Sequence, residues 1–509
     1  MEVEISSRSP RSGLAFEERC AAIERFLIRH KVAVIVLLSL MYFVGTSFRA
    51  NGKPFWCDEI LTILEARQPS LSASMQAGRD WDWMPPLSFV PPYLVNRLAG
   101  TGRVVFRLPA MIGFWVFCLC LFGFAARRVN IFFALVALLL PFATIFEPYS
   151  FEARPYGMIL GFFGIALFCW QTAAAGRKRA ISIAGLTLGI ACALLNHYYA
   201  IMIYLPLAGA EIFRSLRQRK VDWPIWAAFI AAGLPMLGSL LAAMHVMKNN
   251  THPWVQAHAR DYLLFYTSAF SYSLAFVVPV VVLCTAVLVL GADKEQASTR
   301  RPSIPDYELL SAALILLVPV GAITLALVVP PHIFVDRYAI VAIGGFALLT
   351  SFLGAHFAGG RSAIGVVFLL GALLPFMFDL TKARPFKNPL YQEPVLVRAL
   401  QNGPVIVNNE MRHWQFWYYA PEELRPNLIY LLDEAAAMEY FHVDDHAGAF
   451  RGLGMRIVDY NTFATPGKSF LLYFTGSLDW VPEKVLHDGG TMSVVEWNQG
   501  NALLRARLK

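Results

Sequence analysis

Asp58 and Glu59 stand side by side in Lys53-Pro-Phe-Trp-Cys-Asp-Glu-Ile60, shortly after the first long apolar stretch. Two adjacent carboxylates at the end of an apolar helix gain nothing from burial, because an unpaired charge in low dielectric is expensive. They call for water, a cation or a substrate. Three more polar clusters interrupt the apolar sequence: Glu147-Pro-Tyr-Ser-Phe-Glu152-Ala-Arg154-Pro-Tyr156, Asn196-His197-Tyr198-Tyr199 and His332-Ile-Phe-Val-Asp336-Arg337-Tyr338. A carboxylate can take a proton from an incoming hydroxyl. Guanidinium groups grip phosphate through planar, paired donors. Together these residue types suit a substrate with an anionic head and a lipid tail. Moving a sugar off a lipid-linked phosphate needs both functions: a base for the acceptor, and cations for the departing phosphate.

Each member also has a plainer role. Arg337 at a span end can be an interfacial anchor. Tyr156, Tyr198, Tyr199 and Tyr338 can belong to an aromatic belt. Glu152 and Arg154 can form a local ion pair, His197 can be a hydrogen-bonded core residue, and lone Cys57 reads as inert. The functional reading rests on their convergence at one membrane face.

That convergence depends on topology. Of 509 residues, 57% are hydrophobic and 15% charged, with mean hydropathy +0.51. Soluble domains carry about 25% charged residues, so the chain reads as an α-helical polytopic membrane protein. Apolar stretches lie near 32–48, 108–126, 129–146, 156–175, 180–195, 198–213, 223–244, 262–291, 308–330, 338–357 and 363–380. Most reach the roughly 17–25 residues that cross the hydrocarbon; 180–195 and 198–213 are marginal, and 262–291 is long. This predicts about eleven spans. With segment 1–31 cytoplasmic, Lys and Arg concentrate in the inner loops, as in Arg127-Arg128, Arg177-Lys178-Arg179 and Arg214 to Lys220. That is the expected orientation, and it puts all four polar clusters outside. The first span is read as a retained anchor, not a cleaved signal. The net charge of +8 reflects topology and anionic lipid, not nucleic acid.

Three regions follow: a cytoplasmic segment 1–31, a transmembrane domain 32–382 with a long first outer loop 49–107, and an extracytoplasmic domain 383–509. In the loop, 59–67 reads as a short amphipathic helix. The piece 87–99, with Pro91-Pro92, is too short to span; both are expected to lie in the interface. Beyond 383 apolar runs shrink to strand length, as in 405–407, 428–432, 470–474 and 493–497. Amphipathic stretches 410–420 and 433–441 lie between them, predicting a small α/β domain with its own core. Of seven cysteines only Cys57 falls outside, so no disulfide framework and no zinc spacing is present.

At these residues the chain resembles the GT-C membrane glycosyltransferases. The points of resemblance are Asp58-Glu59 after the first span, Pro85-Pro86-Leu87 and Arg107-Leu108-Pro109. Glu152-Ala-Arg154-Pro-Tyr156, His197-Tyr198-Tyr199 and Arg337-Tyr338 are similar to the bacterial branch related to protein O-mannosyltransferases and the lipid A aminoarabinose transferase. The resemblance implies an inverting transferase in the cell inner (plasma) membrane. It would move a hexosyl or pentosyl unit from a polyprenyl-phosphate sugar donor to a hydroxyl on a glycan, lipid or protein acceptor. Asp58 would be the base; Glu59 and Glu152 would orient it or a sugar hydroxyl. Arg154, Arg337 and His197, with Tyr156, Tyr198 and Tyr338, would hold the donor's phosphate and sugar. Asp58, Glu59 and Glu152 are also residues that gather a divalent cation, but the resemblance implies no catalytic metal, and no cofactor is expected. One departure concerns the acceptor. The family usually places His before Pro-Pro-Leu, where this chain has Trp81-Asp82-Trp83-Met84, so Asp82 or Trp83 takes that place. A flippase or transporter of lipid-linked saccharides is the alternative. Transporters carry charges deep in their spans, and here Glu211 is the main candidate for that.

Overall fold

The apolar stretches predicted from hydropathy are all helical. The computed structural model describes residues 11–82, 84–249, 255–290, 302–330, 332–442, 447–476, 479–498 and 500–509; Arg8, Trp83, Lys294, Arg300 and Arg301 lie outside them. Five helices there are long and apolar enough to cross a membrane: Lys31–Gly52, Val105–Ala125, Tyr156–Ala174, Tyr198–Gln218 and Ser362–Thr381. Two helix pairs reach that length only together and are bent, as in a broken span or a re-entrant loop: Asp261–Ala269 with Ser271–Ala286 at 45° and Asp306–Leu316 with Val318–Val328 at 47°. Ile131–Ala143, Arg179–Leu194, Trp223–Ser239 and Ala342–Ala358 are shorter apolar helices. The expectation of full crossing length is thus narrowed. At 317–319 the reason is Pro319, which lacks an N–H and collides with the preceding turn, so the helix restarts at an angle.

Two helices set the geometry of the outer face. Leu108–Ala125 and Tyr156–Ala174 cross so closely that a Cβ on Gly113 or Gly157 would strike the other helix's backbone. Small residues permit such contact where no water is present to drive helices together. The crossing fixes the outer ends of both helices, which carry Arg107 on one side and Arg154 and Tyr156 on the other.

Ionic contacts sort the loops onto two faces. On one, segment 1–31 is more than a polar lead: it contains the helix Arg11–Arg29. There Glu17 accepts from the N–H groups of Ser362 and Ala363, and Glu24 from Ser362 Oγ at 2.5 Å, capping the last span. Arg128 pairs with Glu308, and Arg179 with Asp222. Glu211 is gripped by Arg214 at 2.7 Å and Trp170 Nε1 at 3.0 Å, while Arg214 also reaches Asp222 at 2.9 Å. Glu211 is therefore part of an interlock at the helix ends. Charge bias assigns all these segments to the cytoplasmic side, and they do share one side.

The opposite face carries the four polar clusters and the domain from 383 onward. Six strands form one sheet: β1 Val405–Ile406, β2 Leu428–Leu432, β3 Arg456–Asp459, β4 Ser469–Phe474, β5 Thr491–Asn498 and β6 Asn501–Arg507. Their order is β3-β2-β1-β4-β6-β5, with β3, β2, β1 and β4 parallel and β6 antiparallel to both β4 and β5. One face is covered by helices Glu434–Phe441 and Val481–His487, with Ile406, Leu431, Leu472 and Val485 buried between. The other face does not make a private core. Leu396, Val405, Trp414, Phe416 and Tyr430 pack with Phe55, Ile60, Ile63 and Phe106 of the first outer loop. The predicted helix at 59–67 forms as Cys57–Ala66, and 87–99 as a short turn at Pro86–Ser88 followed by Val90–Ala99. Helix Leu71–Trp81 was not foreseen; its Trp81 ring meets Phe450 edge-on at 6.4 Å.

Candidate active site

Helix Cys57–Ala66 begins after an extended Trp56, and Glu59 in its first turn accepts the Trp56 N–H at 3.0 Å. Carboxylates here are favoured by the helix dipole. Neighbouring residues on a helix point about 100° apart, so the two acids face different surroundings. Glu59 is fully buried. Arg107 Nε and Nη2 bind its two oxygens at 2.7 Å each, and the Ala153 N–H donates to Oε1 at 2.8 Å. Arg107 spends its remaining donors on the carbonyls of Ala50, Lys53 and Pro54. Burial alone would raise the Glu59 acid, but the charge and hydrogen bonds of Arg107 outweigh it and hold Glu59 below the usual carboxylate range. Glu59 thus ties the end of the first span to the loop that carries Asp58.

Asp58 is left open to solvent, its side chain 27% exposed. Arg337 Nη2 stands 3.6 Å from Asp58 Oδ2. That is close enough for attraction and too far for a hydrogen bond. Arg337 lies over the Tyr156 ring at 5.7 Å, and its buried Nε has no hydrogen-bond partner among the described residues. His197 sits beside it, buried. Its Nδ1 accepts the Tyr199 N–H at 3.1 Å, which leaves the ring proton on Nε2, again without a partner among the described residues. Burial first, then the charges of Arg154 and Arg337, push its pKa down to about 3, so the ring is neutral. Tyr338 stacks on Tyr199 at 4.3 Å and approaches His197 at 5.0 Å. Tyr156, His197, Tyr199, Arg337 and Tyr338 line a narrow cleft. Tyr198 does not line it: after an extended His197 the chain enters a 3-10 turn, which brings Tyr199 round instead.

Arg154 is differently employed. It forms a paired bridge to Asp82, at 2.6 and 3.0 Å, and reaches Thr62 Oγ1 at 3.1 Å and the Asp58 carbonyl at 3.3 Å. Asp82 thus holds the arginine in place. Glu152 pairs not with Arg154 but with Lys53, at 3.6 Å. Burial raises its acid above the usual range against the pull of Lys53. Behind them Arg49 and Glu147, both buried, form a doubly bonded pair at 2.5 and 2.8 Å that locks the first span to the 147–151 turn. Lys53, Arg49 and Glu147 have no role that the sequence alone assigns, because their partners are far away in the chain. Asp58, Glu59 and Glu152 each have a different cationic partner. Among the described residues no three His, Cys, Asp or Glu side chains gather as a metal-ligand group.

This helical core, with its acidic first outer loop and a small outer α/β domain, has the fold of a solved membrane protein. In particular, the fold is similar to the crystal structure of ArnT from Cupriavidus metallidurans in the apo state. The TM-score is 0.55 at 12% identity, over 94% of this chain and 98% of that one. The same protein bound to undecaprenyl phosphate matches with TM-score 0.52 at 14% identity, over 93% and 97% of the two chains. No family model matches the sequence, and no curated protein matches it by sequence.

Proposed function

We propose that the protein is an inverting glycosyltransferase that moves a monosaccharide from a polyprenyl-phosphate donor to a hydroxyl acceptor on the extracytoplasmic side of the inner membrane. The observation that carries this is the loose pair of Asp58 with Arg337, which lines the His197 cleft, 3.6 Å apart. It sets a carboxylate with no strong hydrogen bond beside a guanidinium with an unused N–H. The likeness to a structure bound to undecaprenyl phosphate supports a lipid-phosphate donor.

The donor phosphate takes the Arg337 donors and the His197 Nε2–H, with Tyr338 and Tyr156 flanking the chain's entry. A phosphate drawing Arg337 toward itself leaves Asp58 free to act as base. The acceptor hydroxyl gives its proton to Asp58, and its oxygen attacks the anomeric carbon from the face opposite the phosphate. The bond from anomeric carbon to phosphate oxygen breaks, its electron pair leaving with the phosphate, and configuration inverts. Arg337 and the neutral imidazole N–H stabilise that charge. Glu59 holds the loop, and Glu152 with Lys53 lines the approach. No step calls for a metal.

The test compares two variants of purified protein with undecaprenyl-phosphate monosaccharides. Asp58→Asn should abolish transfer while keeping the unfolding midpoint and the affinity for the lipid phosphate. Arg337→Ala should chiefly weaken that affinity. Near-normal turnover in Asp58→Asn removes the base, and the reading with it.

A further inference from the structure

Helix Arg11–Arg29 has a surface that the transfer reaction does not use. At about 100° per residue, its side chains from Phe16 onward sort into three faces. Glu17, Cys20, Glu24 and Leu27 turn toward the bundle. Cys20 is buried, Leu27 packs on the core, and the two acids cap the start of Ser362–Thr381. Phe16, Ile23 and Phe26 share the second face and are 51%, 45% and 59% exposed. Exposed Arg19 stands among them. Glu18, Arg25 and Arg29 make up the third face, also exposed.

Two tethers set the depth of this helix. Only His30 separates it from the span Lys31–Gly52, and its acids hold the first turn of the span Ser362–Thr381. It therefore lies level with the ends of two spans, where headgroups begin. It is too charged to enter the hydrocarbon, and three large apolar side chains side by side are poorly suited to open water. A helix of this kind lies in the interface plane, its apolar face dipped into the acyl boundary and its bases among the headgroups. The long stem of Arg19 lets its charge reach them from within the apolar face. Charge then selects the lipid. Among the described residues from Phe16 to Lys31, Glu18 is the one exposed acid, against exposed Arg19, Arg25, Arg29 and Lys31. Such a basic juxtamembrane segment is attracted to an anionic leaflet.

We propose that helix Arg11–Arg29 is an interfacial anchor that binds anionic phospholipid of the cytoplasmic leaflet. Phe16, Ile23 and Phe26 lodge below the headgroups, and Arg19, Arg25 and Arg29 grip their phosphates. The proposal rests on the orientation that charge bias assigns and is independent of the glycosyl-transfer reading.

The experiment uses the full-length protein in nanodiscs of phosphatidylcholine with a minor share of phosphatidylglycerol. In parallel samples one lipid or the other carries a photoreactive headgroup, and crosslinks are mapped by mass spectrometry. Each base at an anionic surface is worth about fivefold in binding. Photoreactive phosphatidylglycerol should therefore label segment 16–31 about tenfold or more over phosphatidylcholine. The triple variant Arg19→Gln, Arg25→Gln, Arg29→Gln should lose that preference, while labelling of the basic loops 177–179 and 214–220 stays as in wild type. Salt at about 1 M, which shortens the screening length to about 3 Å, should remove it as well. Phe16→Ser with Phe26→Ser should lower labelling by both lipids. Should the triple variant fail to fold, the salt series on wild type decides. The inference is overturned if wild type labels equally with the two lipids, or if the preference survives the triple variant or high salt. It is equally overturned if neither lipid labels 16–31 and the segment crosslinks instead to a second copy of the chain.

Discussion

Glu59→Gln is the most demanding probe of how this site is built. It preserves size and shape and removes one charge. Glu59 and Arg107 are both wholly buried. In the variant, Arg107 keeps a buried charge with no counter-ion, and the new amide NH₂ faces donors at Arg107 Nη2 and Trp56 N, or at Arg107 Nε and Ala153 N. Removing one partner of a buried pair costs about 3–5 kcal/mol, a large part of a margin of about 5–15 kcal/mol. The same bonds hold Ala50, Lys53 and Pro54 next to the helix that presents Asp58, so the base should shift as well. A misplacement of about 1 Å costs on the order of 10²-fold in rate. We expect a lowered unfolding midpoint in detergent and a kcat about 100-fold down, with donor-lipid affinity little altered, because Arg337 and His197 belong to other elements. Adding Arg107→Met should restore the charge term but not the three carbonyl bonds, each worth about 1 kcal/mol, so recovery should be partial. The sign of the pH effect also follows. Glu59 has a native pKa below its unfolded value of about 4.3, so its stabilisation is complete above that pH and is lost as pH falls through the native value. The wild type should lose this contribution in strong acid, and the variant has none to lose. A Glu59→Gln protein with wild-type midpoint and turnover would refute the reasoning.

Three further outcomes follow from the same geometry. Tyr419 Oη accepts the Phe55 N–H at 2.6 Å and Gln415 Nε2 donates to the Phe55 carbonyl at 3.1 Å, so the outer domain clamps the chain three residues before Asp58. Tyr419→Phe should lower kcat several-fold with donor affinity intact, and equal turnover in steady-state assays would show that the clamp is idle. His197 has a native pKa of about 3 against about 6.5 unfolded, so stability should fall as pH drops from about 6.5 toward 3, where only the unfolded state takes up the proton. Thermal unfolding of His197→Gln should lack that component, and binding of undecaprenyl phosphate should not require His197 protonation between pH 6 and 8. Extensive chelation with EDTA should leave turnover unchanged, and recovery of lost activity on adding back a divalent cation would put a metal in the site.

Hydropathy and charge alone located the helical stretches, grouped the loops that share a face, and brought the four polar clusters together. All three follow from the bilayer: an apolar run must be helical to satisfy its backbone, and Lys and Arg mark the side they stay on. The same local logic found helix 57–66 and strands β1, β2, β4 and β5. It missed β3, β6 and helix Leu71–Trp81, whose partners lie far away in the chain. Residue roles were less legible still. Asp58 and Glu59 look equivalent in sequence, and helical rotation sends one toward Arg337 and the other to Arg107. Arg154 and Arg337 look equally free, until Asp82 folds back onto the first and leaves the second beside Asp58. What a side chain is can be read along the chain; what it pairs with is decided only when segments dozens to hundreds of residues apart are packed into one low-dielectric space, where each charge must find a counter-charge or a ligand.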